Sequence, residues 1–526
     1  MAVPEGAAAA APAGSATTQE PVQDAAARRH ALRVLALSSL GAFVVFLDTT
    51  IVNVAFETIG RSFHATAGHL AWVLNAYSLV FAAVLIPAGR LADRYGRKRV
   101  FLIGITGFAA MSALCGLAPN AGMLIAGRAL QAAFAALVTP TSLSLILPEF
   151  PAAKRPVAIG TWGSMGAAAA ALGPTLGALL TQYASWRWIF LVNVPICAVI
   201  AFFGLRLLRE ARDPHAHGLP DPLGVLLIAA MPAALSLAII EGPNWGWSDP
   251  RVIGAFVLAA LLLPAFVLRD RATAQPVMDF ALFRVRQFRL VNASTLVFAA
   301  AFYGMLLSNI IFLQTVWHYS VLRAALATAP TPLVVTAVAR TASRLSHTHG
   351  ARRVLTFGAL FWTAGLALIA VFAGATPHWT THWLPAALLT GLGVGLTLPV
   401  QSGAAVQALP PGRFALGSAI NASLRQLGAV LGISLFVAVL GTPTAATAVD
   451  SFHRVWWLLA ALGLASGALL WTPGRRAGTD TGTAEQKPAS GRPPPVVSGL
   501  PATRGSGRRP DRGGGTARRR GRATIG

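Results

Sequence analysis

The sequence predicts an all-α integral membrane protein, and three observations carry that prediction. Of the 526 residues 55% are hydrophobic and only 11% are charged, well below the ~25% charged residues of an ordinary soluble domain. Apolar runs long enough to cross a bilayer recur along the whole chain. Several water-facing domains of this total length would also need far more polar surface than 18 acids and 42 Lys/Arg supply.

A spanning helix needs about 20 apolar residues. Such runs fall at about 33–56, 69–88, 99–118, 122–147, 156–181 and 187–208, then 222–241 and 251–268, then 289–316, 322–342, 353–374, 382–402, 414–440 and 455–472. Pro330 and Pro332 interrupt the tenth. Fourteen is even, so both termini share one side. The loops on that side carry 23 Lys/Arg, whereas the opposite loops carry only Arg61, Arg187, Arg251, Arg323 and Arg454. The positive-inside rule makes the termini cytoplasmic, in what is expected to be the plasma (inner) membrane, and Trp186, Trp188, Trp245 and Trp247 fall on the other rim. The net charge of +24 is therefore a record of sidedness, and no nucleic-acid partner is expected. The two cysteines, Cys115 and Cys197, lie in apolar runs and form no disulfide framework.

Residues 1–32 read as a disordered cytoplasmic tail without a signal-peptide core. Residues 473–526, rich in Gly, Pro and Arg, read as a basic disordered cytoplasmic tail that contacts anionic lipid. Between them an internal repeat divides the chain. GRLADRYGRKRVFLIG (Gly89 to Gly104) aligns without a gap with SRLSHTHGARRVLTFG (Ser343 to Gly358). Residues 33–208 and 271–472 are thus two copies of a six-helix half, with helices 7 and 8 inserted at 209–270. Repeat halves are the architecture of secondary transporters, with the site at the midplane between them.

The loop GRLADRYGRKR resembles the signature of the major facilitator superfamily. Fourteen spans with LDTTIVNVA (Leu47 to Ala55) in the first resemble its fourteen-span drug:proton antiporter branch. Gly160, Gly173, Pro174 and Gly177 resemble that branch's antiporter motif, with Ala169 and Ala178 where the family usually has glycine. Arg128 and Gln131 match a conserved pair of the fourth helix, with Ala132 replacing a glycine. The resemblance implies the major facilitator fold, two six-helix halves plus a two-helix central insertion. It further implies a secondary active transporter that exports drugs or antibiotics, largely apolar small molecules, by proton antiport with alternating access. Its partners are a small-molecule substrate, protons and membrane lipids; it is expected to be a monomer, to need no cofactor and to draw on the proton motive force.

Only Asp48, Arg128 and Arg425 are ionisable groups clearly inside spans, where burying a charge is costly. At 1.5 Å per residue in a core of about 30 Å, Asp48 lies about 22 Å and Arg128 about 21 Å from the cytoplasmic side. Asp48 is the expected proton-titrating carboxylate and Arg128 its partner, because burial disfavours the ionised form while a cation favours it. The alternative is a static pair that fixes helix packing. From Ala281 to Val449 there is no Asp or Glu, so any coupling carboxylate lies in the first half. Arg425 either attracts an anionic substrate or hydrogen-bonds carbonyls. Asn53, Gln131, Tyr303, Asn309 and Gln314 complete the expected substrate contacts.

Gly89 and Gly96 are read as turn residues of the signature loop, and the resemblance implies that Asp93, Arg94 and Arg97 latch the outward-facing state. Topology alone explains the basic residues but not Asp93. Gly173-Pro174, with Gly160 and Gly177, is expected to give a kinked fifth helix with a smooth face, either as an antiport gate or as generic packing. The competing functions are a dedicated metabolite exporter or symporter of the same fold. An enzyme is not expected, since HExxH, GxSxG, Walker A and CxxC are missing. A channel lacks its repeated pore rings. The histidine pairs His347/His349 and His378/His382 have no carboxylate or thiol to complete a metal site.

Overall fold

The computed structural model describes residues 20–151, 154–212, 218, 221–407, 409–410, 413–444 and 446–471. These lie in one unit; residues 473–526, the expected basic tail, lie outside the described residues. The described elements are all helical. In order the main helices are α1 (Glu20–Ile51), α2 (Ala67–Tyr95), α3 (Arg97–Gly116), α4 (Ala121–Ile146), α5 (Arg155–Tyr183), α6 (Asn193–Leu207), α7 (Pro222–Trp245), α8 (Pro250–Ala272), α9 (Arg286–Thr315), α10 (Pro330–His349), α11 (Ala351–Phe372), α12 (Leu384–Gln407), α13 (Phe414–Leu440) and α14 (Ala448–Leu469). Among the described residues, 13 helices are long and apolar enough to cross a membrane. The 29-residue α5, only part of whose side chains are described, occupies the place of the fifth expected span.

Two boundaries differ from the sequence reading. The first helix starts at Glu20, inside the tail expected at 1–32, because Ala25–Arg29 is a run of strong helix formers that continues the span outward. Gly89 lies within α2 rather than at a turn. The helix runs on to Tyr95, and only Gly96 bends the chain, at φ +114°. The proline pair of the tenth span does little harm: Val321–Thr328 ends just before it, and Pro330 and Pro332 fall in the first turn of α10, where a missing N–H has no helical partner to lose.

The repeat is visible in the backbone. Gly96 joins α2 to α3 and Gly350, at φ +85°, joins α10 to α11 at the equivalent place. The halves α1–α6 and α9–α14 meet through α2 with α13 and through α5 with α10 and the Val321–Thr328 helix, while α7 packs on α2 and α13 and α8 packs on α7. Three hydrogen bonds join the halves toward the end remote from the Arg97–Arg99 loop. Asn75 Nδ2 donates to Ser434 Oγ at 3.0 Å, Gln314 Nε2 to the Val54 carbonyl at 3.3 Å, and the Leu322 N–H to Gln182 Oε1 at 3.0 Å. At the basic end, Gly160 and Gly163 of α5 and Gly403 of α12 have nothing within 4 Å of where a Cβ would stand. A fourth bond, Ser423 Oγ to the Ala82 carbonyl at 2.9 Å, ties α13 to α2 at mid-helix, so the halves touch at the remote end and along α2 and α13, and stand apart only along α5 at the basic end.

Candidate functional site

Asp48 lies near the end of α1, just before a tightened turn at Val52–Ala55. Arg128 and Gln131 are three residues apart on α4 and so share a face, and Asn120 starts that helix by accepting from the Met123 N–H at 2.8 Å. Ser112 comes from α3 and Asn193 opens α6. All five side chains are buried and form one network. Arg128 Nη1 donates to Asp48 Oδ2 and, at 2.7 Å, to Gln131 Oε1. Gln131 Nε2 and Asn193 Nδ2 each donate to Asp48 Oδ1 at 2.9 Å. Both amides also donate to Ser112 Oγ, at 2.6 and 3.3 Å. The Arg128 guanidinium lies 4.0 Å from the centre of the Tyr77 ring, a cation–π contact of the kind that gains when desolvated. Asp48 thus accepts from three donors, Arg128, Gln131 and Asn193.

The depth arithmetic placed Asp48 and Arg128 at one level, and the structure brings them into contact. Sequence reasoning missed Ser112, Asn193 and Tyr77, although a polar side chain in an otherwise apolar span was an available signal. Thr49, Asn53, Tyr77, Arg128 and Tyr303 line a cavity of about 10 Å³ beside the pair. That is room for a single water, against ~300–1,000 Å³ for a drug-sized ligand.

The other expected substrate contacts are distributed. Tyr303 donates to Gln426 Oε1 at 3.4 Å, and Arg425, half-buried, donates to Ser402 Oγ at 3.4 Å on α12. Asn309 accepts from Trp456 Nε1 at 3.0 Å inside the second half, and Gln314 is engaged with Val54. In α5, a Cβ on Gly177 would stand 2.7 Å from the Ile51 carbonyl oxygen, and one on Gly173 would strike Thr50. Those two glycines, flanking the internal Pro174, let α1 and α5 close up beside Asp48, which Gly160 does not.

Around Gly96 the signature loop is bound by residues of the first half and of the segment that follows it. Asp93 accepts from Arg97 at 3.0 Å, Arg97 Nη1 also donates to the Ser144 carbonyl at 3.3 Å, and Arg94 lies over the Tyr95 ring. The unexpected partner is Glu210, which accepts from the backbone N–H groups of Lys98 and Arg99 at 3.1 and 3.2 Å. It caps the free donors at the start of α3 and complements the positive helix end.

Two pseudo-equivalent helical halves, the first of them holding a buried ionic network, define a membrane transporter. The chain belongs to the Major Facilitator Superfamily, whose family profile matches residues 38–339 and 291–510. It is 36% identical over 432 residues to the multidrug resistance protein Stp of Mycobacterium tuberculosis (strain CDC 1551 / Oshkosh), covering 81% of this chain and 79% of that protein. It is 34% identical over 449 residues to the puromycin resistance protein pur8 of Streptomyces alboniger, covering 82% and 87%. It is 31% identical over 419 residues to the tetracenomycin C resistance and export protein of Streptomyces glaucescens, covering 80% and 77%. Among solved structures, an auto-inhibited POT family peptide transporter superposes with a TM-score of 0.62 at 14% identity, covering 84% of this chain and 96% of that one. A bacterial homologue of the lysosomal transporter Spinster gives 0.57 at 16% identity, covering 84% and 95%. The chain is a transporter of this superfamily and not an enzyme.

Proposed function

We propose that the protein exports drugs or antibiotics, largely apolar small molecules, across the plasma membrane by proton antiport, with the basic end and both termini in the cytoplasm. The observation that carries this reading is the buried carboxylate of Asp48, held between α1 and α4 by Arg128. It is a single site that can exchange a proton for a cation as partner. Proton uptake neutralises Asp48 and releases Arg128 to its other acceptors, Gln131 Oε1 and the Val73 carbonyl 3.4 Å from its Nε. Proton loss restores the pair, so the titration moves α1 against α4.

The contacts between halves at the remote end, and their separation along α5 at the basic end, support an inward-facing state. In that state Asp93 is turned to Arg97, and the latch of Asp93, Arg94 and Arg97 acts when the halves close at the basic end. Asn53, Tyr303 and Arg425 then face the substrate path, with Gly173, Pro174 and Gly177 as the close-packed gate that resists leak. The names of the resistance and export relatives favour antibiotic-like substrates.

The test is a drug-susceptibility panel in a pump-deficient host, with ethidium efflux from proteoliposomes under an imposed pH gradient. Wild type should protect and extrude; Asp48→Asn and Arg128→Ala should not. Protection against nothing by wild type would favour a dedicated metabolite exporter, and full pH-driven transport by Asp48→Asn would remove the carboxylate from the coupling.

A further inference from the structure

The second half lacks acids from Ala281 to Val449, yet its helices carry arginines at the basic end. Arg352 and Arg353 open α11 there and are both exposed. Neither makes an ion pair with a described residue, whereas Arg413 of the same half pairs with Asp279. Beside the two arginines lies a groove of about 370 Å³ between α11 and α14 on the outer face of the bundle. It is lined by Thr356, Ala359, Leu360, Leu464, Ala468 and Trp471, with Gly467 at its floor.

Geometry links groove and charge. Arg352 and Arg353 stand one helical turn before Thr356 and share its face. The Arg352 guanidinium lies 3.8 Å from the centre of the Trp471 ring, and Trp471 Nε1 donates to Thr356 Oγ1 at 2.6 Å. The ring covers one face of the guanidinium and leaves its N–H edge open to an anion. Trp471 stands just past the end of α14, where indoles mark the membrane boundary, and the groove runs from it toward the hydrocarbon.

We propose that this groove is a binding site for an anionic phospholipid. One acyl chain lies against Ala359, Leu360, Leu464 and Ala468, and the headgroup phosphate is held by Arg352 and Arg353, supplying the counter-charge that the second half lacks. The arginine fork matches phosphate geometry, and an apolar groove continuous with a paired cation fits one amphiphile rather than a free anion.

Native mass spectrometry of the full chain, exposed to equal amounts of phosphatidylglycerol and phosphatidylcholine, tests this. Wild type should retain phosphatidylglycerol over phosphatidylcholine on the order of tenfold or more, as two interfacial bases imply. Arg352→Gln/Arg353→Gln should bring the ratio near one, Ala468→Trp should reduce retention of both lipids by filling the groove, and Arg344→Gln at the same end should leave the ratio unchanged. Size exclusion and thermal unfolding establish that each variant is folded. A preference that survives in the double variant, or is lost equally in Arg344→Gln, would mean diffuse surface charge and overturn the site, as would retention unaffected by Ala468→Trp.

Discussion

Asn75 and Ser434 hydrogen-bond at 3.0 Å between α2 and α13, so one buried contact belongs to both halves of the molecule. If export requires the halves to part at this end, that contact must break in every cycle. Asn75→Cys/Ser434→Cys, in a background lacking Cys115 and Cys197, is expected to form a disulfide on oxidation and to stop ethidium efflux, with activity restored by reductant. Transport by the oxidised form would show that these helices need not separate.

Gly96 and Gly350 share a backbone conformation but not an environment. A Cβ on Gly96 would stand 2.5 Å from the Glu210 carboxyl, whereas one on Gly350 meets nothing within 4 Å. Gly350→Ala should therefore lose only the penalty of this positive-φ conformation, on the order of 1–3 kcal/mol. Gly96→Ala should lose more, because it also displaces the Glu210 cap of α3. Thermal unfolding of the two variants side by side measures the difference, and equal losses would remove Glu210 from the account.

These residues mark how far the sequence could be read. The Asp48–Arg128 contact was legible because rare charges in apolar spans have depths fixed by helix rise. The repeat was legible because Gly96 and Gly350 do the same backbone task. Asn193 and Ser112 were not, since a neutral polar side chain in a span gains its meaning from the rotation of its helix about its axis. Glu210 was hidden for another reason: it caps α3 from a loop more than a hundred residues away. Gly89 looked like a turn only because a loop motif was read as wholly loop, when α2 carries most of it.

The glycines of α5 should divide by depth. Gly177→Ala puts a methyl 2.7 Å from a backbone carbonyl of α1, a neighbour that cannot yield cheaply, and is expected to lower both stability and transport. Gly160→Ala has open space and removes a flexible residue from a helix, so it should stabilise by about 0.5–1 kcal/mol. A destabilised Gly160→Ala with unaffected Gly177→Ala would reverse the assignment of the close-packed end.

Asp221 begins α7 and ties it to α8, accepting from Arg269 at 2.8 and 3.1 Å and from the Gly224 N–H at 3.0 Å. The Arg269 hydrogen bond, and after it the backbone donor, hold its carboxyl below the usual aspartate range. A depressed value in the folded state contributes stability above the unfolded pKa of about 3.9, and that contribution is lost as pH falls through the folded value. Asp221→Asn should thus unfold at a lower temperature than wild type near neutrality, with the gap closing in acid. A gap that widens on acidification would contradict the sign.

Arg128 and Asp48 make the strongest case for a double-mutant cycle. Each is almost wholly buried, so removing either partner leaves an uncompensated charge, at a cost of about 3–5 kcal/mol. Replacing both by apolar residues removes the charge problem along with the attraction. Asp48→Leu and Arg128→Met should each lower the unfolding temperature strongly, while the double variant should recover most of the loss and still export nothing. Recovered stability without recovered transport would separate the two roles of the pair. A double variant as unstable as the singles would mean that Gln131, Asn193 and Ser112, left with their amides and hydroxyl facing the gap, are the groups on which the packing of α1, α3, α4 and α6 depends.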